Sequence, residues 1–279
     1  MALLNHNLGA LTFTIIRLSS GAFMLLPILL LPQRSREEAA VPDRRFVLSW
    51  PVVGMAASLF SYALFFSLAY LQLQAATGAI ILFPTVQITM IGLSLVLGNR
   101  LTLMEWCGFA LALGGLIYLL LPGLAAPPLL GALLMMLSGV SWGVYSILGQ
   151  REPRPVVATA RNFVYGLPAV LILLLILIGG IRDEGSASAE GVLLAVSSGA
   201  IASALGYVLW YLALQKISTT MASLSQLAVP IIAAFGGVVF LGEHISLRLV
   251  IASIIILSGI ALAMVGRGFA ARSKTNAKI

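Results

Sequence analysis

The chain alternates between long apolar runs and short interruptions of charge, proline or amide side chains. Crossing a bilayer core takes about 20 apolar residues in a helix. Nine runs of that order are read at 8–31, 48–71, 74–97, 103–121, 128–148, 157–179, 191–214, 218–241 and 247–266. The breaks fall at Pro32 to Arg45, Gln72-Leu73-Gln74, Asn99-Arg100, Pro122 to Pro128, Arg151 to Pro155, Arg182 to Ser188, Gln215-Lys216 and Glu243-His244. A closed β-barrel, the other spanning solution, would show shorter segments of alternating polarity. The pattern therefore predicts an all-α integral membrane protein with nine spanning helices.

Composition agrees with that prediction. Of the 279 residues 60% are hydrophobic and 9% charged, where a soluble domain carries roughly 25% charged residues. So few charges cannot cover a surface that faces water. The net charge of +7 is spread between the apolar runs and not gathered into basic patches with aromatics. The expected partners are thus the lipid bilayer and a small-molecule substrate, with no nucleic acid. The single Cys107 lies in an apolar run, which excludes an internal disulfide and predicts a small core residue. The first run carries Arg17 and has no basic leader, so no cleavable signal peptide is expected.

The basic residues set an orientation. With the loop after the first run placed inside, the inner side collects Arg34, Arg36, Arg44, Arg45, Arg100, Arg151, Arg154, Arg161, Lys216, Arg267, Arg272, Lys274 and Lys278. The outer side collects Arg182 and Arg248, with Arg17 near the outer end of its helix. This predicts a cytoplasmic carboxyl terminus and an external amino terminus.

A shift of 144 residues lines the chain up with itself without gaps. Leu97-Gly98 falls on Leu241-Gly242, Leu68-Ala69 on Leu212-Ala213, Gly92 on Gly236, Gly115 on Gly259 and Arg17 on Arg161. Thr102 falls on Ser246, each placed to cap the following helix, and Thr102 with Glu105 has capping-box spacing. The predicted organisation is a first repeat of four helices over 1–121, a linker at 122–127, a second repeat of five over 128–266 and a basic tail at 267–279. A counterpart of 128–148 would fall before residue 5, so a tenth, upstream helix is expected. Five is odd, so the two copies run with inverted topology, as in many carriers.

Candidate chemistry is mostly neutral. The acidic residues Glu37, Glu38, Asp43, Glu105, Glu152, Asp183, Glu184, Glu190 and Glu243 all lie toward run ends or in loops. Mid-membrane carboxylates for proton or Na⁺ coupling are therefore not expected in this chain. It has no phosphate-binding loop, zinc-type cluster or nucleophile elbow, so neither enzyme activity nor a cofactor is expected. His6 and His244 read as bland loop residues, and Glu243 as part of a tight turn.

The spans do contain aromatic and amide groups. Trp142 and Tyr145 share a helical face with Ser138 and Ser141, Tyr62 pairs with Phe66, and Tyr207, Trp210 and Tyr211 cluster. Gln87 and Gln226 can both donate and accept hydrogen bonds. One reading is an aromatic-lined cavity with a few polar hooks; the other is interfacial belts and interhelical contacts. Trp50 and Trp106, at helix ends, read as belts. Arg17 and Arg161 are intramembrane cations, either substrate contacts or snorkelling side chains, with Asn162 and Tyr165 near Arg161. Pro84 and Pro230 occupy matching spans and can act as hinges or kinks.

The stretch from Tyr207 through Trp210, Tyr211 and Ala213 to Lys216, then Gln226 and Pro230, then Leu241-Gly242-Glu243, resembles the EamA family of the drug/metabolite transporter superfamily. Ser138 to Tyr145 is similar to that family's sixth helix. Arg17, Pro84 and Leu97-Gly98 match the first half more loosely, and Asn99 stands where the family usually has Glu. The resemblance implies ten helices in two inverted five-helix repeats around a central cavity. It implies carriage of small metabolites, often amino-acid export, across a bacterial inner membrane. The expected function is a secondary transporter or facilitator working by alternating access, the alternative being a non-transporting membrane subunit or sensor. The expected substrate-binding residues are Trp142, Tyr145, Tyr62, Phe66, Gln87, Tyr207, Trp210, Gln226, Arg17 and Arg161. Monomer and homodimer both stay open.

Overall fold

The computed structural model describes residues 8–30, 49–96, 102–120, 126–150, 152–180, 183, 188–216, 226, 228–242 and 244–276. His6, the loop from Pro32 to Arg45, Leu97 to Arg100, Arg151, Arg182, Glu184 and Glu243 lie outside the described residues.

Each predicted run has its helix: α1 (Ala10–Leu30), α2 (Trp50–Ala69), α3 (Ala75–Val96), α4 (Leu103–Leu120), α5 (Leu129–Gly149), α6 (Pro155–Ile178), α7 (Ala189–Lys216), α8 (Ala228–Leu241) and α9 (Leu247–Asn276). Among the described residues there is no strand. Six helices, α1, α2, α3, α5, α6 and α7, are long and apolar enough to cross a bilayer. α4 and α9 contribute shorter apolar stretches, Leu103–Leu119 and Leu247–Ala263. The protein is an all-α membrane protein. α9 continues past the predicted end at 266, through the basic segment to Asn276.

Helix ends follow local chemistry. Glu105 Oε2 accepts from the Thr102 amide at 2.7 Å, and the Glu105 amide donates to Thr102 Oγ1 at 3.3 Å, a complete capping box. Its repeat mate Ser246 accepts from the Leu249 amide at 3.1 Å, and Ser188 caps α7 through the Gly191 amide at 3.0 Å. Proline opens α2 and α6, where a missing N–H is harmless. Gly242 closes α8 at φ 65, a conformation that suits only glycine well.

Leu171, Ile172 and Leu175 of α6 and Leu247 and Ile254 of α9 are exposed. Such apolar faces are a liability in water and the ordinary outer face in lipid. Trp50, 89% exposed, and Trp106, 50% exposed, sit at helix starts on that outer face. Cys107 corrects an expectation. It is exposed on α4, not a core residue, because the helix turns Gly108 and Ala112 inward in its place.

The chain forms two compact units, Met1–Leu71 with Val144–Lys216, and Gln72–Gly143 with Ile217–Ile279. Each takes helices from both sequence repeats, and the division falls within α5. In the first unit α1 packs most extensively on its repeat mate α6. Asp183, just past the end of α6, accepts from the Leu11 and Thr12 amides at the start of α1, at 3.2 and 2.7 Å. The end of one mate thus meets the beginning of the other, so they run antiparallel. The carboxylate also compensates the positive end of the α1 dipole.

In the second unit α4 packs most extensively on its own mate α9. A Cβ at Gly266 would meet Met104 and Glu105, one at Gly259 would meet Gly108 and Ala112, and one at Gly115 would meet Ile255 and Ile256. Arg248 donates to the Tyr118 carbonyl at 2.8 Å. Numbers rise along α4 as they fall along α9, so this pair is antiparallel too. The small residues allow the backbones to approach where no hydrophobic effect drives helices together.

That contact predicts a contrast on one helix. Gly108→Leu should overpack α4 against α9 and cost about 1–3 kcal/mol, seen as a lower melting temperature and poorer monodispersity in detergent. Gly114→Leu, where an added Cβ meets nothing within 4 Å, should melt like the parent. Equal behaviour of the two variants would contradict the packing.

Candidate functional site

The first unit holds a buried cluster built around Arg17. α1 approaches α7 closely because Gly199 has no side chain; a Cβ there would run into the Arg17 carbonyl and Ser20 Oγ. Gly21, a turn further on, leaves room for the Phe163 ring and the Gly199 carbonyl. Gly199 lies in a π-helical stretch, Ser198–Leu205, inside α7. Such wide turns are uncommon and often mark functional positions. Thr14 of α1 and Ser67 of α2 join their hydroxyls at 2.9 Å, pinning a fourth helix to the cluster.

Arg17 is 6% exposed. Its Nε donates to Ser203 Oγ at 2.8 Å and its Nη2 to the Tyr207 hydroxyl at 2.7 Å. The guanidinium carbon lies 5.5 Å from the Tyr62 ring centre and 5.2 Å from that of Phe66, within cation–π range. Nη1 has no hydrogen-bond partner among the described residues. Arg17 is positioned by neutral groups only, with no ion pair among the described residues.

Aromatic rings continue from there. Tyr207 lies 6.3 Å from Tyr62, 6.0 Å from Phe163 and 6.4 Å from Tyr145. Tyr145 stacks on Tyr211 at 5.0 Å, and the Tyr211 hydroxyl donates to the Tyr145 carbonyl at 2.9 Å. Gly149 admits the Tyr211 ring edge. Beyond this stack stands Arg161, 1% exposed, with Nη2 3.3 Å from Glu152 Oε1. The Glu152 carbonyl in turn accepts from Gln215 Nε2 at 2.7 Å, tying the α5–α6 turn to the end of α7. Arg17 and Arg161 stand at matching positions of antiparallel helices, each about 10 Å along from its helix start at 1.5 Å per residue. They therefore mark opposite ends of the aromatic column.

Of the predicted residues, Arg17, Tyr62, Phe66, Tyr207 and Tyr145 are brought into one contiguous cluster. Arg161 belongs to its far end. Trp210 is half-buried in the same unit, and its indole N–H has no hydrogen-bond partner among the described residues. The second unit holds the others. Gln87 and Trp142 are buried on α3 and α5, and Gln226 is buried just before α8, with no amide partner among the described residues. Gly139 and Gly143 let α5 ride on Thr85 and Thr89 of α3. Pro84 lies within α3, which continues through it, and Pro230 falls in the first turn of α8.

Sequence reasoning missed Ser203, Phe163 and the role of Glu152. Ser203 carries no signal of its own, since a π-helical stretch leaves no pattern in hydropathy. Glu152 reads as a loop carboxylate until the fold turns it toward Arg161.

Comparison with known proteins follows the same outline. The EamA-like transporter family model matches residues 1–121 and 129–265. An uncharacterized protein of Pseudomonas aeruginosa is 45% identical over 272 residues, 97% of this chain and 90% of that protein. The uncharacterized transporter YoaV of Bacillus subtilis is 21% identical over 262 residues, 91% of this chain and 87% of its own. An uncharacterized transporter of Archaeoglobus fulgidus is 25% identical over 202 residues, 71% of each. One solved crystal structure matches with a TM-score of 0.62 at 20% identity, covering 94% of this chain and 89% of its own, which speaks for the fold.

The Arg161–Glu152 pair gives a direct test of the site's electrostatics. Glu152→Gln should remove the anion beside a buried guanidinium and destabilise the protein by about 1–3 kcal/mol, less than for a fully buried pair because Glu152 is partly exposed. Glu152→Gln with Arg161→Met should recover most of that loss. A double mutant as unstable as the sum of the single variants, in a thermal-unfolding cycle, would show that the pair is not coupled.

Proposed function

The chain belongs to the EamA-like transporter family, and on that premise we propose that it is a secondary carrier working by alternating access, exporting small metabolites such as amino acids across a bacterial inner membrane. It is a multi-pass membrane protein of the transporter class. Substrate, direction and mechanism are the added part of the reading.

The observation that carries it is the antiparallel packing of repeat mates, α1 on α6 and α4 on α9. Two similar halves of opposite direction can exchange conformations, and that exchange turns an inward-open state into an outward-open one without a second fold. Arg17 and Arg161 fit this scheme. They occupy equivalent positions at opposite ends, and in this conformation they have different partners. Tyr62, Phe66, Tyr145 and Tyr207 supply ring faces and hydroxyls for an amphipathic solute, a composition typical of small-molecule sites. Solute transfer with no bond made or broken accounts for this constellation without a catalytic role for any residue in it.

Two measurements test the reading. Expression in a sensitive bacterial host should raise resistance to toxic amino-acid analogues and speed efflux of preloaded labelled amino acids. Unchanged resistance and efflux over a broad panel would sink export and favour a sensor or subunit. Orientation is tested separately. The thirteen-to-three distribution of Lys and Arg supports a cytoplasmic carboxyl terminus. A green-fluorescent-protein fusion there should fluoresce, and an alkaline-phosphatase fusion should be inactive; the opposite pattern would invert the topology.

A further inference from the structure

We propose that Arg17 is the anchor for a carboxylate on the transported solute, and that the chain selects for that carboxylate and not for an amine. The inference rests on the carrier reading above and adds the chemical class of its substrate.

A guanidinium at 6% exposure with no ion pair among the described residues is an expensive group to keep in a membrane span. Arg17 is held by Ser203, Tyr207, Tyr62 and Phe66, and this leaves Nη1 unused. A carboxylate can meet Nη1 and Nη2 side by side, the geometry in which arginine binds it most strongly. Nη1 is shielded in this conformation, so a solute reaches it when the helices rearrange during alternating access.

The protein supplies its own comparison. Arg161, the repeat mate of Arg17, has a carboxylate from the chain, Glu152, at 3.3 Å. The offset of 144 that superposes the arginines places Leu8 at the counterpart of Glu152, and Leu8 is buried and apolar. The first repeat thus keeps the cation and lacks the anion. A solute carboxylate supplies at Arg17 what Glu152 supplies at Arg161.

Selection against reading the amine follows from where the unit's described carboxylates are. Glu152 faces Arg161, Asp183 caps α1, and Glu190 stands in the first turn of α7, about 20 Å along the helix from Ser203 at 1.5 Å per residue. Each of these described carboxylates is thus engaged elsewhere or remote in this conformation, and none is recorded in contact with Arg17.

The test uses the full chain in nanodiscs and matched probes: phenylalanine, N-acetylphenylalanine and phenylalaninamide, with the leucine set alongside. Both free acids of a set should raise the melting temperature, and the amide should not. Arg17→Gln should weaken acid binding by about tenfold or more, Arg17→Lys should keep part of it, and Cys107→Ser should leave the acid preference intact. If Arg17→Gln fails to fold, the Arg17→Lys titration carries the test. Amides that bind as well as acids, an acid preference that survives loss of Arg17, or no shift with any acid would each overturn the proposal. Flux of the same probes in proteoliposomes separates the two readings. Flux without acid preference removes the anchor and leaves the carrier. Arg17-dependent acid binding without flux does the reverse.

Discussion

A charge held in hydrocarbon must be solvated by the protein, and the arrangement of the first unit depends on how that is done for two arginines. Arg161 has the direct solution, a carboxylate within ion-pair distance. Arg17 has hydroxyls and ring faces, one of those hydroxyls carried by a widened helix turn. Each solution dictates neighbouring packing. Gly199 and Gly21 are glycines because α1 has to approach α7 and α6 closely enough for Arg17 to reach Ser203 and Tyr207. Gly149 is a glycine because Tyr211 has to pass it to stack on Tyr145.

The same constraint explains the absence of conventional amphipathic helices. In water, one helix face is sorted inward by polarity. In lipid, both faces are apolar, and position is decided by size and by the rare polar contact. α4 and α9 meet along Gly108, Ala112, Gly115 and Gly259. α1 and α2 meet through two hydroxyls, Thr14 and Ser67. Cys107 shows how little hydropathy says here. It looks like a core residue by type and lies on the outer face, since the inner positions go to the smaller residues beside it.

This is why the helices were legible in the sequence and much of the site was not. Span positions follow from apolar length, and among the described residues each run has its helix. The caps at Thr102, Glu105 and Ser246 follow from short-range hydrogen bonding, which needs no tertiary knowledge. The 144-residue offset made the mates identifiable, and the contact of α4 with α9 is between helices it pairs. Arg17, Tyr62, Phe66, Tyr145 and Tyr207 were visible as polar or aromatic groups in apolar runs. Ser203 was not, because its importance comes from a π-helical stretch in α7 and not from its residue type. Glu152 was not, because a carboxylate three residues after a helix end reads as solvated until the turn folds back toward α6.

The asymmetry between the two arginines is the point at which fold and function meet. An inverted repeat starts from two equivalent halves, and equivalence alone makes a symmetric object with no preferred state. Unequal partners break that symmetry. With Glu152 on one arginine and Leu8 at the corresponding place on the other, the ends differ in the free energy of exposing or covering their cation. Under the proposed anchoring, a solute that pairs with Arg17 would make the ends more alike, because it would supply the missing anion. A ligand shifts a conformational equilibrium only by its difference in affinity for the two states. A solute anion bound at Arg17, as proposed, would change the electrostatics of one end and leave the other as it was, which is the kind of difference that shift requires.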